Sequence, residues 1–411
     1  MTIELRALAE SEWEAYERCL LRSFGGPGED PAEAQLWREL LPVGRTVTAW
    51  DGKEIVGTAG AFDFRMAVPG GALRETAGVT AVSVLPTHRR RGVLTAMMRR
   101  QLDTFHADGT PLAVLTASEP QIYGRFGYGA GTRQVHGSLD VRQLTVALPP
   151  GAERLRMRLV DPAEGSAACE AVYAQVVPRR PGMLARRPGW ERHPLLDPAS
   201  GRGGFGPMLC VLAEDEGGEV RGYARYWTSN RGTPEGVPDG TVKLRDVEAL
   251  DPAAYAALWH YLTGTDLTAR LVFHNRPADD PVQQLVSDIR RCHLGWRDGL
   301  YVRLVDVPAA LAARAYTAPL DVVLEVEDAF CPWNSGRWRL SADASGAVCE
   351  RTAGPADLAV TARELGTAYL GGHTLRTLAA AGLVTELRPG ALGPASAAFH
   401  CDVQPWVPHG F

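Results

Sequence analysis

The hydrophobic pattern at the start of the chain changes from helical spacing to strand spacing. Trp13, Tyr16 and Leu20 recur as on one face of an amphipathic helix. Arg45–Trp50 instead alternates in polarity, and Asp51-Gly52 after it favours a tight hairpin turn. We therefore predict that the first block begins with a helix and continues as antiparallel strands.

The next stretch predicts a buried strand, a basic turn, a helix and another strand. Thr76–Leu85 is rich in small and β-branched residues, and Leu112–Thr116 is a short apolar run. The helix between them is indicated by apolar residues on one face: Leu94, Met97, Met98, Leu102 and Phe105. Helices that alternate with strands in this way are typical of an α/β fold.

The middle of the chain repeats this order of elements without repeating the residues. Leu148–Gly151 has the Pro and Gly content of a linker, and strands followed by a helix recur after it. At the corresponding turn, Ala249–Pro252 contains neither a glycine nor a cation. We predict domains at residues 1–150, 151–306 and 307–411, of which the second lacks an anion-binding turn.

Composition argues against several classes of function. The net charge of −5 is unlike the basic excess of nucleic-acid binders. No apolar run reaches the ~18 residues of a membrane span, and the N-terminus lacks an apolar signal core, so we expect a cytoplasmic protein. The seven cysteines are scattered and histidines do not cluster with carboxylates, so we expect free thiols and no metal.

The basic run Arg89–Gly92 lies between the predicted strand and the predicted helix. Helix N-termini present unpaired N–H groups and the positive end of the helix dipole, which together bind phosphate. Gly92 lets the backbone approach a pyrophosphate closely, and arginines bind phosphate bidentately. A solvated basic loop is the alternative interpretation, and the strand before and the helix after favour a phosphate site.

Arg89–Leu94 resembles motif A of the GCN5-related N-acetyltransferases (GNATs), which reads R/Q-x-x-G-x-G/A. The arginine and the first glycine match, whereas Leu94 stands where many members carry Gly or Ala. More narrowly, the whole chain resembles the enhanced intracellular survival (Eis) family of actinobacteria. The segments that carry this resemblance are Pro86–Gly92, Ser118-Glu119, Ile122–Gly129, Asp328–Asn334 and Tyr369–Gly372.

The resemblance implies an α/β (α+β) architecture with two tandem acetyltransferase folds, the second degenerate, and a sterol-carrier-protein-like domain after them. It also implies acetyl-CoA as co-substrate, no metal, and a homohexamer arranged as a trimer of dimers. Backbone groups of the strand would pair with the pantetheine arm, and the turn would wrap the pyrophosphate. By position, the implied cofactor-binding residues are Val82, Ser83, Val84, Arg90, Arg91, Gly92, Val93, Leu94, Thr95, Ser118 and Glu119.

The same resemblance makes Tyr123 the general acid and the α-carboxylate of Phe411 the base. A phenol is close enough to a thiol in pKa to protonate a departing thiolate. A terminal carboxylate with a pKa of about 3.5 is a weak base, so attraction of the amine and relay through water are favoured over direct abstraction. Tyr128 is the rival phenol and is interpreted as structural, and a merely packed Phe411 remains an alternative.

These interpretations predict an acetyl-CoA-dependent N-acetyltransferase that acts on a primary amine. The acceptor class suggested by the resemblance is a polycationic small molecule of aminoglycoside type or a lysine side chain. Gly28–Trp37, with the acidic Glu29 and Asp30, is a predicted wall of the acceptor pocket. The alternative is a non-catalytic protein that binds a lipid or another small molecule in the sterol-carrier-like domain.

Overall fold

In the residues described by the computed structural model, 3–25, 28 and 30–411, the strands form three sheets. The chain divides into two units, and the first contains residues up to 132, 299–405 and 410–411. The second unit contains residues 133–298 and 406–409.

The helices are α1 (Trp13–Phe24), α2 (Pro31–Leu40), α3 (Val93–Ala107), α4 (Pro120–Tyr123), α5 (Ser166–Val176), α6 (Pro252–Thr263), α7 (Val282–Leu285), α8 (Val307–Ala312), α9 (Ala362–Tyr369), α10 (Leu375–Ala380) and α11 (Leu392–Phe399). The strands are β1 (Glu4–Arg6), β2 (Val47–Asp51), β3 (Glu54–Ala67), β4 (Leu73–Val84), β5 (Leu112–Thr116), β6 (Gly129–Ala130), β7 (Arg133–Asp140), β8 (Arg156–Val160), β9 (Leu184–Ala185), β10 (Leu209–Glu214), β11 (Val220–Ser229), β12 (Gly240–Ala249), β13 (Thr268–Pro277), β14 (Gly295–Asp298), β15 (Leu300–Leu304), β16 (Leu320–Glu327), β17 (Gly336–Asp343), β18 (Gly346–Arg351), β19 (Leu358–Thr361) and β20 (Val384–Glu386).

The first unit contains a sheet in the order β1-β2-β3-β4-β5-β15-β6. The pairing of β4 with β5 is parallel and short: it joins Thr76–Gly78 to Leu112–Val114 and then stops. The C-terminal part of β4 therefore continues without a partner on its β5 side, which leaves an opening in the middle of the sheet.

Two helices of the first unit pack on this sheet through the apolar faces that the sequence predicts. Helix α1 buries Trp13, Tyr16 and Cys19. Helix α3 buries its Met97 side chain against β3, where a Cβ on Gly57 would lie 3.0 Å from the methionine Cε. Close approach of helix to strand at Gly57 fixes the height of α3 over the sheet.

Two strands lie in sheets that the order of the chain does not suggest. Strand β15 inserts between β5 and β6 in the first sheet, whereas β7 pairs with β13 and β14 in the second. The proposed domains 1–150 and 151–306 each include one of these strands. Hydrophobic periodicity identifies a strand but does not show which sheet it joins, so those boundaries stay a proposal.

The sheet of the second unit runs β14-β7-β13-β12-β11-β10-β8. The turn from β12 into α6 is closed by a carboxylate, because Asp251 accepts a hydrogen bond from the N–H of Ala254 (2.9 Å). One first-turn N–H group of α6 thus already has an anionic partner within the chain. In α3 the corresponding N-cap is Gly92, which has no side chain to offer.

The third sheet, β18-β17-β16-β19-β20, lies in the first unit. Val322, Leu324 and Val326 of β16 are buried, as the alternating pattern of this strand predicts. Helix α9 of this region packs against β15 and β6 of the first sheet. The segment after Tyr123 is therefore in contact with residues from the last quarter of the chain.

Gly129→Ala should destabilise the protein, because a Cβ there would lie 2.0 Å from the carbonyl oxygen of Arg363. Overpacking against backbone costs about 1–3 kcal/mol, and the midpoint of thermal unfolding should fall accordingly. Gly44→Ala is the matched control, since nothing lies within 4 Å of its Cβ position. Equal midpoints for the two variants would contradict the close packing of α9 on Gly129.

Candidate active site

The largest cavity described here lies in the first unit where β4 and β5 stop pairing, and its volume is about 850 Å³. Its walls are the end of β4, the turn into α3, the first turn of α3 and the segment after β5. The lining residues are Ser23, Phe24, Val82, Ser83, Val84, His88, Arg89, Arg90, Gly92, Val93, Leu94, Thr95, Ser118, Glu119, Ile122, Tyr123 and Arg125.

The wall formed by β4 is shaped by a bulge. Thr58 pairs with Ser83 and Gly60 with Thr80, so one residue of β3 faces both Ala81 and Val82. Ala81 takes a positive φ of 51°, a strained conformation for a residue other than glycine. The bulge is held by the Thr58 hydroxyl, whose oxygen lies 2.7 Å from the Ala81 carbonyl and 2.7 Å from Ser83 Oγ.

The turn from β4 into α3 is held by Arg89 and shaped by positive backbone angles. The Arg89 guanidinium donates to the carbonyls of Val84 (3.2 Å) and Ser23 (2.9 Å), so it ties the turn to β4 and to the end of α1. Arg90 (φ 60°) and Gly92 (φ 81°) are both left-handed. This conformation lets α3 start at the cavity, where its first N–H groups have no partner within the helix.

The structure separates the adjacent arginines of the predicted phosphate site. Arg90 and Gly92 line the 850 Å³ cavity together with the first residues of α3, whereas Arg91 is not part of its wall. Ser118 and Glu119 lie on the opposite wall. With the exception of Arg91, the cofactor residues expected from the sequence thus surround one cavity.

A second cavity of about 420 Å³ adjoins the first. The two cavities share Phe24, Val82, Ser118 and Tyr123, so the shared boundary contains the predicted general acid. The other lining residues of the second cavity are Trp13, Tyr16, Glu17, Leu20, Leu21, Gly25, Ala34, Trp37, Leu41, Phe62, Val79, Thr80, Ala81, Thr116 and Phe411.

The terminal residue of the chain lies in an aromatic corner of this second cavity. The Phe411 ring contacts Phe64 edge-on at 5.0 Å between centroids and Phe62 at 6.5 Å. Gly78 makes room for the rings of Phe64 and Phe411, since a Cβ there would lie 2.3 Å from Phe64 and 3.2 Å from Phe411. Phe411 is half-buried, and these ring contacts hold the residue on the wall of the second cavity.

Tyr123 has the environment of a proton donor. It is only 6% exposed, and burial, together with the Glu119 carboxylate, raises the pKa of its phenol to about 12. The phenol therefore stays protonated at neutral pH. Tyr128 is fully buried and packs edge-on to Tyr123 at 6.1 Å, but it lines neither of the two cavities.

Carboxylates lie on the wall of the second cavity and of the cavity beside it. Glu17 lies on its wall and also on the wall of a third cavity of about 810 Å³, which Glu10, Glu39 and Arg38 line. Trp13 is shared by the same two cavities. Three carboxylates against one guanidinium make this outer region attractive to cations.

Sequence reasoning identified only part of the second cavity. Ala34 and Trp37 of the predicted wall segment line it, while Glu29 of that segment lies outside the described residues. Glu17 and Phe62 were missed, because an amphipathic helix and a buried strand explain them equally well as structural residues. Only the packing of α1 over the bulge of β4 brings Glu17 to the cavity.

Within the described part of the chain, no helix has both the length and the apolar character needed to cross a membrane. No group of three or more His, Cys, Asp or Glu side chains in that part is arranged to hold a metal ion.

Three protein-family models match the chain in succession. Residues 4–131 match an acetyltransferase (GNAT) domain, and residues 182–304 match a second acetyltransferase (GNAT) domain. Residues 307–408 match a sterol carrier protein domain. The fold predicted from the sequence, two GNAT folds followed by a sterol-carrier-like domain, is confirmed.

Similar proteins cover the whole chain. An uncharacterized N-acetyltransferase of Streptomyces coelicolor is 58% identical over all of both chains. N-acetyltransferase Eis of Mycobacterium tuberculosis is 34% identical over 98% of each chain. The crystal structure of Eis1 from Mycobacterium abscessus matches with a TM-score of 0.85 and 34% identity over all of both chains. A GCN5-related N-acetyltransferase from Anabaena variabilis, at 18% identity and a TM-score of 0.84, shares the fold.

Arg90→Ala is expected to weaken acetyl-CoA binding about tenfold, because a charge-assisted contact to phosphate is worth about 1.5 kcal/mol. Arg91→Ala is the matched control, and its dissociation constant should change by less than about twofold, since a solvent-screened charge contributes little. Titration calorimetry with acetyl-CoA measures both. Equal losses in the two variants would show that the cavity wall does not determine which arginine binds phosphate.

Proposed function

The chain belongs to the Eis family of GCN5-related N-acetyltransferases, and we propose that it transfers acetyl from acetyl-CoA to primary amines of polycationic small molecules or to lysine side chains. The observation that carries this proposal is the position of Tyr123, whose side chain lines both adjoining cavities. One cavity has the features of a phosphate site, and the other contains the end of the chain.

Acetyl-CoA supplies the activated thioester, and residues of the larger cavity would bind it. The first turn of α3, with Gly92 at its N-cap, would accept the pyrophosphate on unpaired N–H groups. Arg90 would add a cation beside it. Backbone groups of Val82–Val84 would hold the pantetheine arm, because the bulge and the missing β5 partner leave that edge of β4 open.

Amine attack needs a neutral nucleophile close to the thioester. The α-carboxylate of Phe411 would attract the ammonium form and pass its proton to solvent, directly or through a water. Trp13 and Trp37, on the wall of the same cavity, add aromatic faces that favour a cation. The resulting tetrahedral oxyanion would be stabilised by a backbone N–H near Val82, at the bulge.

Collapse of the intermediate breaks the C–S bond, and the departing thiolate takes the Tyr123 proton. A pKa of about 12 for this phenol lies above the value of about 8.5 for an ordinary thiol. Transfer from this phenol to a free thiolate is therefore uphill unless the phenol is reprotonated at the same time. We infer that the phenol donates as the bond breaks, and that it regains a proton from the attacking nitrogen, so that amide and free thiol are the products.

The carboxylates beyond the reaction centre support a polycationic acceptor. An amine that reaches Tyr123 passes Glu17, and further ammonium groups of the same molecule would lie near Glu10 and Glu39 in the outer cavity. Acetylation of a panel that contains aminoglycosides, lysine peptides and simple monoamines tests this preference. Faster turnover of monoamines than of all polycations would contradict it.

The alternative of a non-catalytic lipid-binding or small-molecule-binding protein finds no comparable support. A scaffold needs neither an open β4 edge beside a basic turn nor a protonated phenol between two cavities. Release of free thiol from acetyl-CoA in the presence of amines distinguishes the two functions. Co-purified lipid without thiol release across the panel would favour the alternative.

We also propose that the chain forms a homohexamer, arranged as a trimer of dimers. This rests on its similarity to the Eis family alone. Light scattering coupled to size-exclusion chromatography should give about six times the monomer mass of 44.3 kDa. A monomer at micromolar concentration would contradict the assembly.

Tyr123→Phe is expected to lower kcat about a hundredfold or more, since general acids contribute at least that factor, while the dissociation constant for acetyl-CoA changes by less than about twofold. Steady-state kinetics and calorimetry separate the two quantities. Equal losses in kcat and in cofactor binding would identify Tyr123 as a packing residue.

The wild-type pH profile provides a second readout on the same phenol. Because the pKa of Tyr123 is raised to about 12, the acid form persists as pH rises. The rate should increase as the amine loses its proton and should show no alkaline decline up to about pH 10. A decline with its midpoint near pH 10 that Tyr123→Phe abolishes would show an unshifted phenol.

Extending the chain by two residues after Phe411 should suppress kcat, because the extension keeps the ring but removes the carboxylate from the cavity. Phe411→Leu keeps the carboxylate and serves as the matched control for the ring. Acetyl transfer and thermal unfolding are measured for both. Full activity of the extended chain would eliminate the carboxylate role.

A further inference from the structure

The segment Asp328–Asn334 lines neither of the cavities beside Tyr123, although it is one of the most distinctive stretches of the sequence. The Asn334 side chain accepts from the N–H of Val307 (2.9 Å) and donates to the Val305 carbonyl (3.1 Å) and to the Asp328 carboxylate (2.9 Å). The segment thus holds the chain just after β15.

Asp328 forms a buried ion pair with Arg303 of β15. Arg303 Nη2 lies 2.6 Å from Asp328 Oδ2, and the two residues are 0% and 3% exposed. The other carboxylate oxygen accepts the N–H of Cys331 at 2.9 Å. Among the described residues, Arg303 Nε and Nη1 find no oxygen or nitrogen acceptor, so the pair is retained despite an incompletely satisfied guanidinium.

The guanidinium lies against the loop that follows Tyr123. A Cβ on Gly127, whose φ is +81°, would stand 2.3 Å from Arg303 Nη1 and 2.7 Å from its Cζ. Phe330, beside Asp328, packs edge-on against Phe126 of the same loop at 4.9 Å. Two neighbouring residues of the loop are therefore held by the ion pair and the segment around it.

Backbone hydrogen bonds and ring packing within the loop connect this contact to the Tyr123 phenol. Gly127 N–H donates to the Gly124 carbonyl (3.0 Å), and Tyr128 N–H donates to the Tyr123 carbonyl (3.3 Å). The rings of Tyr123 and Tyr128 meet edge-on at 6.1 Å. In the part of the chain that the structure describes, the buried Tyr128 hydroxyl has no hydrogen-bond partner, so packing rather than a hydrogen bond holds this ring.

We propose that Arg303, held by Asp328, is a positioning residue that aims the Tyr123 phenol during acetyl transfer, and that the sterol-carrier-like domain supports catalysis through this contact. The inference rests on the proposed acid role of Tyr123. It requires that loss of the ion pair lowers kcat because the Tyr123 phenol is misplaced, and not only because the fold is less stable.

A double-mutant cycle separates these possibilities. Asp328→Asn should lower kcat about tenfold or more, because small misplacements of a catalytic group are that costly. The KM for acetyl-CoA should change by less than about twofold, since the basic turn lies elsewhere in the cavity. In the Tyr123→Phe background the same substitution should change kcat by less than about twofold, because there is no hydroxyl left to aim.

Asp246→Asn is the matched control, because it breaks a different buried ion pair and therefore measures the effect of lost stability alone. Asp246 lies 2.9 Å from Arg225, which is 0% exposed, in the other unit. This variant should lower the midpoint of thermal unfolding, while the kcat of the folded enzyme changes by less than about twofold. If Asp328→Asn does not fold, Arg303→Lys replaces it in the cycle, since it keeps the charge and loses the planar contact with Gly127.

Each outcome has one meaning. If Asp328→Asn lowers kcat by the same factor in the Tyr123→Phe background as in the wild type, the positioning role is overturned and the ion pair has only a structural role. A kcat loss of the same size in Asp246→Asn would overturn it as well. If Tyr123→Phe alone leaves kcat unchanged, the proposed acid role itself fails. That result is distinct from an equal loss of kcat by Asp328→Asn in both backgrounds.

Discussion

The site in the first unit depends on one constraint of the sheet, the early end of pairing between β4 and β5. Past Gly78 the two strands are unpaired, and β4 bulges at Ala81 away from its regular register with β3. Unpaired backbone and a positive φ both cost free energy. What results is an open edge of β4 at the cavity, between the basic turn into α3 and the Tyr123 phenol.

The second unit has the same arrangement of strand, turn and helix, but the residues at its turn are chemically different. Asp251 satisfies the first turn of α6 with its own carboxylate, where α3 presents Gly92 and Arg90. A carboxylate at that position repels a phosphate and also occupies an N–H group of the first turn, that of Ala254. Two domains of one fold family thus carry different chemistry at the turn between strand and helix.

The loop after Tyr123 is shaped by residues from Arg303 onward in the chain. Gly127 and Gly129 are glycines because a Cβ there would clash with the Arg303 guanidinium and with the backbone at Arg363. Phe330 packs on the ring of Phe126, which precedes Gly127. The sterol-carrier-like domain therefore contributes, through Phe330 and the backbone at Arg363, to the surroundings of Tyr123. Gly127 and Gly129 leave no room for side chains, because other elements already fill that space.

Local sequence alone determined the strand, the basic turn and the helix, since β-branched runs, glycine and helical periodicity act over a few residues. It predicted β5 with its observed bounds, Leu112–Thr116. The resemblance to a known family added the roles of distant residues such as Phe411. Only the tertiary structure decided that β15 enters the first sheet, that Glu17 and Phe62 meet at one cavity, and that Arg303 lies against Gly127 in the loop after Tyr123. Pairing partners and cavity walls are set by contacts between residues far apart in the chain, and no local pattern records them.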